Sequence, residues 1–334
     1  MNSTLPSGDG LEIDLSLATT IIYITFGLLG IGGNGLVLLV IAKVRELRDI
    51  TNILIANQSL IDFTSSVLLI ASYIVPLPPL PNDVALARFI CAFWYTQYPY
   101  WATYAASVIN LTILTLERYL AIVHPIHYRR RALSRPARVC ILFPWLSGFV
   151  YMSYHFKISK VEDEVCYRFL WKSDTMQRAV GIATFVILFL CPLVLMALMY
   201  VPILWVLRKE TKFSVDGLSS IHQKINYRDR ARRNVIRTMM CVSISFCICF
   251  SPNCILYFVY CLGVPVDFEG VFYYITVCIA FINIWINPFV YALQYRKFQR
   301  GFVEVFGCSS IHGRKGPETQ AIDVGKNLTV VFDS

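Results

Sequence analysis

Few side chains in this sequence could carry acid–base or ion-binding chemistry in apolar surroundings. The clearest is Asp62, in the middle of an apolar run, and Asn34, Ser107, Asn283 and Asn287 occupy comparable depths in other apolar runs. Ionisable or strongly polar groups inside a membrane are costly, so each needs a satisfied partner or a function. A bundle could gather these five around one hydrated cavity. Alternatively, they hydrogen-bond neighbouring helices together, as polar groups in membrane bundles often do.

No catalytic constellation accompanies these polar residues. His155 and His222 are isolated, and the sequence contains no metal-ligand spacing, no Ser-His-Asp set and no phosphate-binding loop. The sequence therefore predicts that the protein is not an enzyme. A channel or transporter, the alternative from another class of membrane protein, would need a continuous polar path across the bilayer, and no such path is evident.

Long apolar segments must position these groups. Hydrophobic residues make up 56% of the chain and charged residues 15%, against ~45–50% and ~25% in soluble domains. Apolar stretches of roughly 20 residues, the length that crosses a hydrocarbon core ~30 Å thick, recur along the chain. Because every backbone amide in lipid must find its partner within its own segment, we expect helices. The predicted fold is an all-α membrane protein, a seven-transmembrane helix bundle with helices at 17–43, 50–76, 88–122, 137–156, 176–208, 230–262 and 268–293.

Lysine and arginine predict the orientation, because short loops rich in them stay on the cytoplasmic side. Basic residues gather at 129–138 and 208–233, whereas the first 16 residues include no basic side chain. The N-terminus is therefore expected outside the plasma membrane. The net charge of +9 reflects this topology, and no nucleic-acid partner is expected. The predicted division is an extracellular tail at 1–16, the bundle at 17–293, an amphipathic helix on the inner membrane surface at 294–307 and a cytoplasmic tail at 308–334.

Two short motifs close the third and seventh predicted helices. The third ends in Glu117-Arg118-Tyr119, where an arginine at the membrane edge could simply snorkel, and the seventh ends in Asn287-Pro288 with Tyr291, where proline produces a kink. Either motif alone is a weak signal. In order and at matching depths, however, the signatures resemble the rhodopsin-like, or class A, family of G-protein-coupled receptors over about residues 17–308. The matching positions are Gly33-Asn34, Asp62, Glu117-Arg118-Tyr119, Trp145, Pro192 with Tyr200, Pro252 and Asn287-Pro288 with Tyr291.

The resemblance implies a bundle with two packings, one of which binds an extracellular ligand better and is populated when the ligand arrives. In the resting packing Glu117 holds Arg118. When the sixth helix swings outward, Arg118 is released toward a heterotrimeric G protein, and Tyr200 and Tyr291 support it. Arrestin is a further candidate partner. The implied switch comprises Glu117, Arg118, Tyr119, Tyr200, Asn287, Pro288 and Tyr291, and the implied toggle region comprises Phe246, Phe250 and Pro252.

The same resemblance implies an allosteric sodium ion and no other cofactor. The sodium pocket would consist of Asp62, Ser107, Asn283 and Asn287 and would stabilise the resting packing, because a hard cation takes oxygen ligands.

Three departures from the family pattern stand out. Phe250 replaces the usual tryptophan of the sixth helix. Arg230, Arg232 and Arg233 occupy the stretch where the family has an acidic partner for Arg118, so no lock from Arg118 to the sixth helix is expected. Finally, Cys91 lies about two residues farther from Arg118 than is customary, with Pro99 between them, so we expect a bulge or a longer outer end.

The resemblance also pairs Cys91 with Cys166 in a disulfide that ties the second outer loop to the third helix. Only these two cysteines lie in polar surroundings, and an oxidising exterior permits the bond. Two free thiols are the alternative.

Surface features complete the predicted layout. Phe298, Phe302 and Phe306 alternate with charged residues, as in an amphipathic helix on membrane lipid. Cys308 follows as a candidate for palmitoylation, an unmodified cysteine being the alternative. Among the glycosylation sequons, only Asn2 is expected to be accessible outside the cell.

The sequence excludes some classes of ligand more clearly than it identifies one. Residues 94–103 contain no carboxylate for a cationic amine, and residues 268–293 contain no lysine for a retinal Schiff base. An aromatic wall remains, and its rings could pack a peptide side chain or stack on a cation. We favour a peptide ligand, with a small amine or another small molecule as the alternative. Some of these rings could instead belong to an interfacial aromatic belt. The candidate ligand residues are Trp94, Gln97, Tyr100, Tyr104, Tyr257 and Tyr273.

Overall fold

The computed structural model describes residues 9–126, 128, 136–213, 220–268 and 270–307. Asn2 and Cys308, the candidate modification sites, lie outside these ranges.

A bundle of long helices forms the described part of the chain. We number α1 Asp9–Lys43, α2 Ile50–Tyr73, α3 Tyr98–Val123 and α4 Pro136–Met152. The helix α5 starts as Asp174–Phe185, passes through a π-helical turn at Val186–Leu190 and continues as Cys191–Phe213. The last three are α6 Ser220–Cys261, α7 Val271–Gln294 and α8 Arg296–Phe306.

Six of the described helices are long and apolar enough to cross a membrane, namely α1, α2, α3, α5, α6 and α7. The shorter α4, with 17 residues, supplies the remaining span expected from the sequence and extends into a 3₁₀ turn at Ser153–Lys157. Side-chain caps begin α2 and α5: Asp49 accepts a hydrogen bond from the Asn52 amide at 2.9 Å, and Ser173 accepts one from the Met176 amide at 3.2 Å.

The segment before α3 departs from the single helix expected at 88–122. A short helix, Val84–Ile90, leads into a π-helical turn at Cys91–Tyr95, and α3 restarts at Tyr98. Between them Gln97 adopts a left-handed backbone with φ 58°. Proline suits the first turn of a helix, where its missing N–H costs nothing, so Pro99 favours a restart here. The expected bulge is thus present.

The second outer loop is a hairpin fastened to this segment. Strand β1, Lys160–Glu162, pairs antiparallel with β2, Val165–Tyr167, so that Val161 opposes Cys166. A disulfide joins Cys166 to Cys91, with 5.5 Å between the Cα atoms. The predicted pairing is therefore confirmed, and it fixes the hairpin to the segment before α3, at the end of the bundle that we call outer.

Small residues let neighbouring helices approach closely. A Cβ atom at Gly148 of α4 would collide with the backbone of α3 at Ala102 and Ala106, so these two helices meet nearly backbone to backbone. At the end of the bundle away from the disulfide, Gly301 of α8 packs against Val40 and Leu47. A left-handed Gly307 ends α8, and its amide bonds to the Val303 carbonyl.

Candidate functional site

A polar cluster lies at the centre of the bundle, around the fully buried side chain of Asp62. Its Oδ1 accepts hydrogen bonds from Gln58 Nε2 at 3.0 Å and from Ser107 Oγ at 3.2 Å, and its Oδ2 accepts one from Asn287 Nδ2 at 2.8 Å. The structure therefore brings together three of the four predicted sodium-pocket residues. Gln58 was not singled out from the sequence, although its place one helical turn before Asp62 is the signal that could have revealed it.

Two other predicted core asparagines behave differently. Asn34 donates to the carbonyl oxygens of Gly30 and Ile284 at 3.0 and 2.7 Å, so it ties α1 to α7. Asn283 is 1% exposed, and neither its side-chain nitrogen nor its oxygen has a hydrogen-bond partner among the described residues. The side-chain oxygen of Asn287 is also buried without a partner. Such orphaned oxygens fit a hard cation or bound water, since both satisfy buried oxygen atoms.

At the inner end of α3, Arg118 is held by its own neighbour. Its Nε lies 2.6 Å from Glu117 Oε2 and its Nη2 lies 2.6 Å from Glu117 Oε1, so the two side chains form a bidentate ion pair. The guanidinium also donates to the hydroxyl of Thr51 in α2. The hydroxyl of Tyr128 donates to Glu117 Oε1 at 2.5 Å. Burial, with the hydrogen bond to Glu117, raises the pKa of Tyr128 above its usual value, so this phenol stays a donor.

The other predicted switch residues lie apart from Arg118. Tyr200 of α5 shares a hydrogen bond of 3.0 Å with Ser243 of α6, and Tyr119 shares one of 3.3 Å with His124. Tyr291 is fully buried, and its hydroxyl has no partner among the described residues. Within that part of the chain, no hydrogen bond joins either Tyr200 or Tyr291 to Arg118, which is the arrangement expected of the resting packing.

The sixth helix is joined to α3 by an arginine of its own. Arg232 Nη2 donates to the carbonyl oxygen of Ile122 at 3.0 Å. A second link runs from α6 to α7 and α8, because Asn234 donates to the Gln294 carbonyl at 2.5 Å and accepts from the Arg296 amide at 2.9 Å. These links were not expected from the sequence, which predicted only that Arg118 would make no lock with α6.

A cavity of about 70 Å³ opens between α3, α4, α5 and α6 in the outer half of the bundle. Its walls are mostly aromatic, and no carboxylate, lysine or arginine is among the residues that line it. They are Trp101, Tyr104, Met152, Tyr154, His155, Phe169, Thr184, Phe185, Leu188, Asn253, Cys254 and Tyr257.

Only two of the six predicted ligand residues, Tyr104 and Tyr257, line this cavity. Tyr100 instead packs edge-on against Phe281, with ring centroids 5.2 Å apart, in a cluster that faces α1, α2 and α7. Tyr273 packs edge-on against Phe268 at 5.1 Å. The remaining two, Trp94 and Gln97, belong to the π-helical turn and the break that precede α3. Apolar patterning predicted the depth of these residues, but helix packing decides which way each helix face points.

His155 is a cavity residue that sequence reasoning set aside as isolated. It is 2% exposed, and its Nδ1 has no hydrogen-bond partner among the described residues. Its ring lies 4.7 Å from that of Tyr154, between centroids. A buried polar atom without a partner at a cavity wall is free to bind a group that enters.

Aromatic contacts connect the cavity to the predicted toggle region. The Tyr104 ring stands edge-on to Phe250 at 4.4 Å, and Phe250 in turn contacts Phe246 at 4.8 Å, one turn further inward along α6. The Tyr104 hydroxyl shares a hydrogen bond of 3.1 Å with the Cys254 sulfur. Pro252, inside α6, lies between Phe250 and Cys254. A molecule in the cavity would therefore touch α3 and α6 at the level of Pro252.

The chain is similar to known receptors along most of its length. Residues 33–291 match the model of the seven-transmembrane receptors of the rhodopsin family. Galanin receptor 2a of Danio rerio is 28% identical over 307 residues, which cover 88% of this chain and 79% of that receptor. The pyroglutamylated RF-amide peptide receptor of Rattus norvegicus is 27% identical, covering 87% of this chain and 69% of that receptor. Galanin receptor type 1 of Mus musculus is 27% identical, covering 86% and 82%. The chain therefore belongs to the rhodopsin-like, or class A, family of G-protein-coupled receptors.

Proposed function

We propose that this receptor binds an extracellular peptide and signals to a heterotrimeric G protein. The observation that carries the proposal is the outer cavity, whose wall residue Tyr104 contacts Phe250 of α6, two residues before Pro252. Support for a peptide comes from the similar receptors, which are named for galanin and for a pyroglutamylated RF-amide peptide. A cavity walled by aromatic rings, with no carboxylate among the described residues that line it, suits an uncharged aromatic or aliphatic side chain better than a small amine.

The disulfide supports the proposed orientation in the plasma membrane. Cys91 precedes α3, whereas Arg118 lies near its far end, and a helix of 26 residues spans about 39 Å. Because disulfides persist in oxidising surroundings, the Cys91 end faces outside and the Arg118 end faces the cytoplasm. The N-terminus then lies outside, since α1 and α3 run in the same direction.

Activation in this proposal is a shift between two packings. Binding must favour the packing in which α6 has moved, because a ligand shifts an equilibrium only by its differential affinity for the two states. On the cytoplasmic side the shift would break the contact of Arg232 with Ile122 and separate Tyr200 from Ser243. Arg118, freed from Glu117, would then bind the G protein, and arrestin would bind the same opened face.

Guanine-nucleotide exchange in membranes that contain the full chain and a panel of G proteins tests the proposal. Galanin and a pyroglutamylated RF-amide peptide serve as probes, and Arg118→Ala is compared with wild type at matched surface expression. We expect a peptide-driven exchange that the variant lacks. Arg237→Ala, at an exposed position of α6, is the control for loss of an inner arginine. Unchanged exchange in Arg118→Ala would refute the role of Arg118, and a response to amines but to neither peptide would refute the ligand class.

A further inference from the structure

Four hydrogen bonds in series cross the bundle and end on Asp62. The Trp145 indole donates to Asn57 Oδ1 at 3.1 Å, and Asn57 donates to Asn110 Oδ1 at 2.8 Å. Asn110 donates to Gln58 Oε1 at 2.9 Å, and Gln58 donates to Asp62 Oδ1 at 3.0 Å. We call this series the amide relay. It connects α4, α2 and α3 and uses only side chains.

One end of the amide relay fixes its direction. An indole N–H can only donate, so Trp145 sets the direction, and Asp62 Oδ1 accepts at the other end. Each amide between Trp145 and Asp62 must therefore turn its oxygen toward the indole and its nitrogen toward the carboxylate. Hydrogen bonds that share one direction polarise one another in a low-dielectric interior, so the last donor, on Gln58, is strengthened.

Gln58 directs both of its N–H groups at predicted sodium ligands. One donates to Asp62 Oδ1, and the other donates to Ser107 Oγ at 2.6 Å. Gln58 and Asp62 are fully buried, and Ser107 is buried as well. A hard cation needs the lone pairs of oxygen atoms. At Asp62 Oδ1 and Ser107 Oγ, amide hydrogens already lie where a cation would approach.

We propose that the Gln58 amide takes the place of sodium at Asp62, so that the resting packing of this receptor is stable without the ion. Removing the amide would free the oxygens of Asp62 and Ser107. Together with the unpartnered oxygens of Asn283 and Asn287, they would form a sodium site. The inference extends the proposed receptor mechanism, but its test needs neither a ligand nor a G protein, so the two can fail separately.

The test measures the unfolding midpoint of the purified full chain in lipid nanodiscs by tryptophan fluorescence. NaCl is exchanged for KCl at a constant ionic strength of about 0.15 M. The variants are Gln58→Leu and the unbranched Gln58→Met, which fills the same space without a donor. Gln177→Leu is the matched control, since Gln177, in the outer half of α5, donates to the backbone carbonyl oxygen of Tyr260 in α6, away from Asp62.

We expect the same midpoint in both salts for wild type and for Gln177→Leu. For the Gln58 variants we expect a lower midpoint in KCl and a saturable rise of several degrees in NaCl, which the added change Asp62→Asn removes. A sodium-specific rise in wild type as large as in Gln58→Met would overturn the proposal. So would the absence of a sodium response in the folded variants. If neither variant folds, the comparison of the wild-type midpoint in NaCl and in KCl still tests the proposal, which a sodium-specific rise would contradict.

Discussion

Arg232 donates a hydrogen bond of 3.0 Å to the carbonyl oxygen of Ile122, and so ties the inner part of α6 to the last turn of α3. The final carbonyl groups of a helix lack partners within it and carry the negative end of its dipole. A guanidinium is therefore a suitable partner there. An arginine in the stretch where the family places an acidic residue thus links the same two helices through the backbone.

We predict that Arg232→Ala raises ligand-free nucleotide exchange. A charged hydrogen bond contributes about 1.5–3 kcal/mol, and solvent access at this half-exposed position reduces that, so an increase of roughly 5- to 10-fold is expected. Exchange is measured in membranes at equal receptor density. Arg237→Ala should leave exchange unchanged. Equal basal exchange in wild type and Arg232→Ala would show that this contact does not hold the resting packing.

The outer cavity gives a prediction about His155. In His155→Leu we expect the probe peptide that drives exchange to lose about tenfold in potency, the loss of one hydrogen bond. His155→Asn, which restores a polar atom, should recover part of it. Basal exchange should stay the same in both variants. Concentration–response curves provide the measurement, and Ser153→Ala, at an exposed neighbouring position, is the control. Full potency in His155→Leu would exclude a contact between His155 and the peptide.

Removing the disulfide should loosen the outer hairpin more than the bundle. Cross-linking 75 residues stabilises a water-soluble protein by about 4 kcal/mol. That figure is an upper bound here, because helices that stay inserted in lipid already restrict the unfolded chain. For Cys91→Ser with Cys166→Ser we therefore expect a large loss of peptide binding and a small fall in unfolding midpoint. Binding at wild-type affinity would mean that the hairpin does not shape the ligand site.

The sequence predicted the long helices well because bilayer thickness sets the length of an apolar span, and because motifs mark the ends of α3 and α7. It also predicted the irregularity before α3 from the extra spacing and Pro99. It did not predict that Gln97 would take the left-handed conformation, because the sequence offers no glycine or asparagine at the break to mark that residue.

The candidate site was harder to predict because apolar periodicity places a residue at a depth without fixing the rotation of its helix. Tyr100 and Tyr104 are one turn apart, yet only Tyr104 lines the outer cavity. Gln58 lies one helical turn before Asp62 in the sequence, but its three partners, Asp62, Ser107 and Asn110, come from two helices, and only the packing of those helices reveals the amide relay. His155 was set aside because no other candidate residue lies near it in the sequence, and its buried place at the cavity wall is visible only in the structure.

The contact of Gly148 with Ala102 and Ala106 has a consequence for the motion of the bundle. Backbones that touch have no side chains between them to rearrange, so α3 and α4 must move as one rigid body. The amide relay includes α2 in the same body. Displacement on activation is then confined to the helices outside it, among them α6, whose side-chain hydrogen bonds to α3 and α5 can each be broken by one rotamer change.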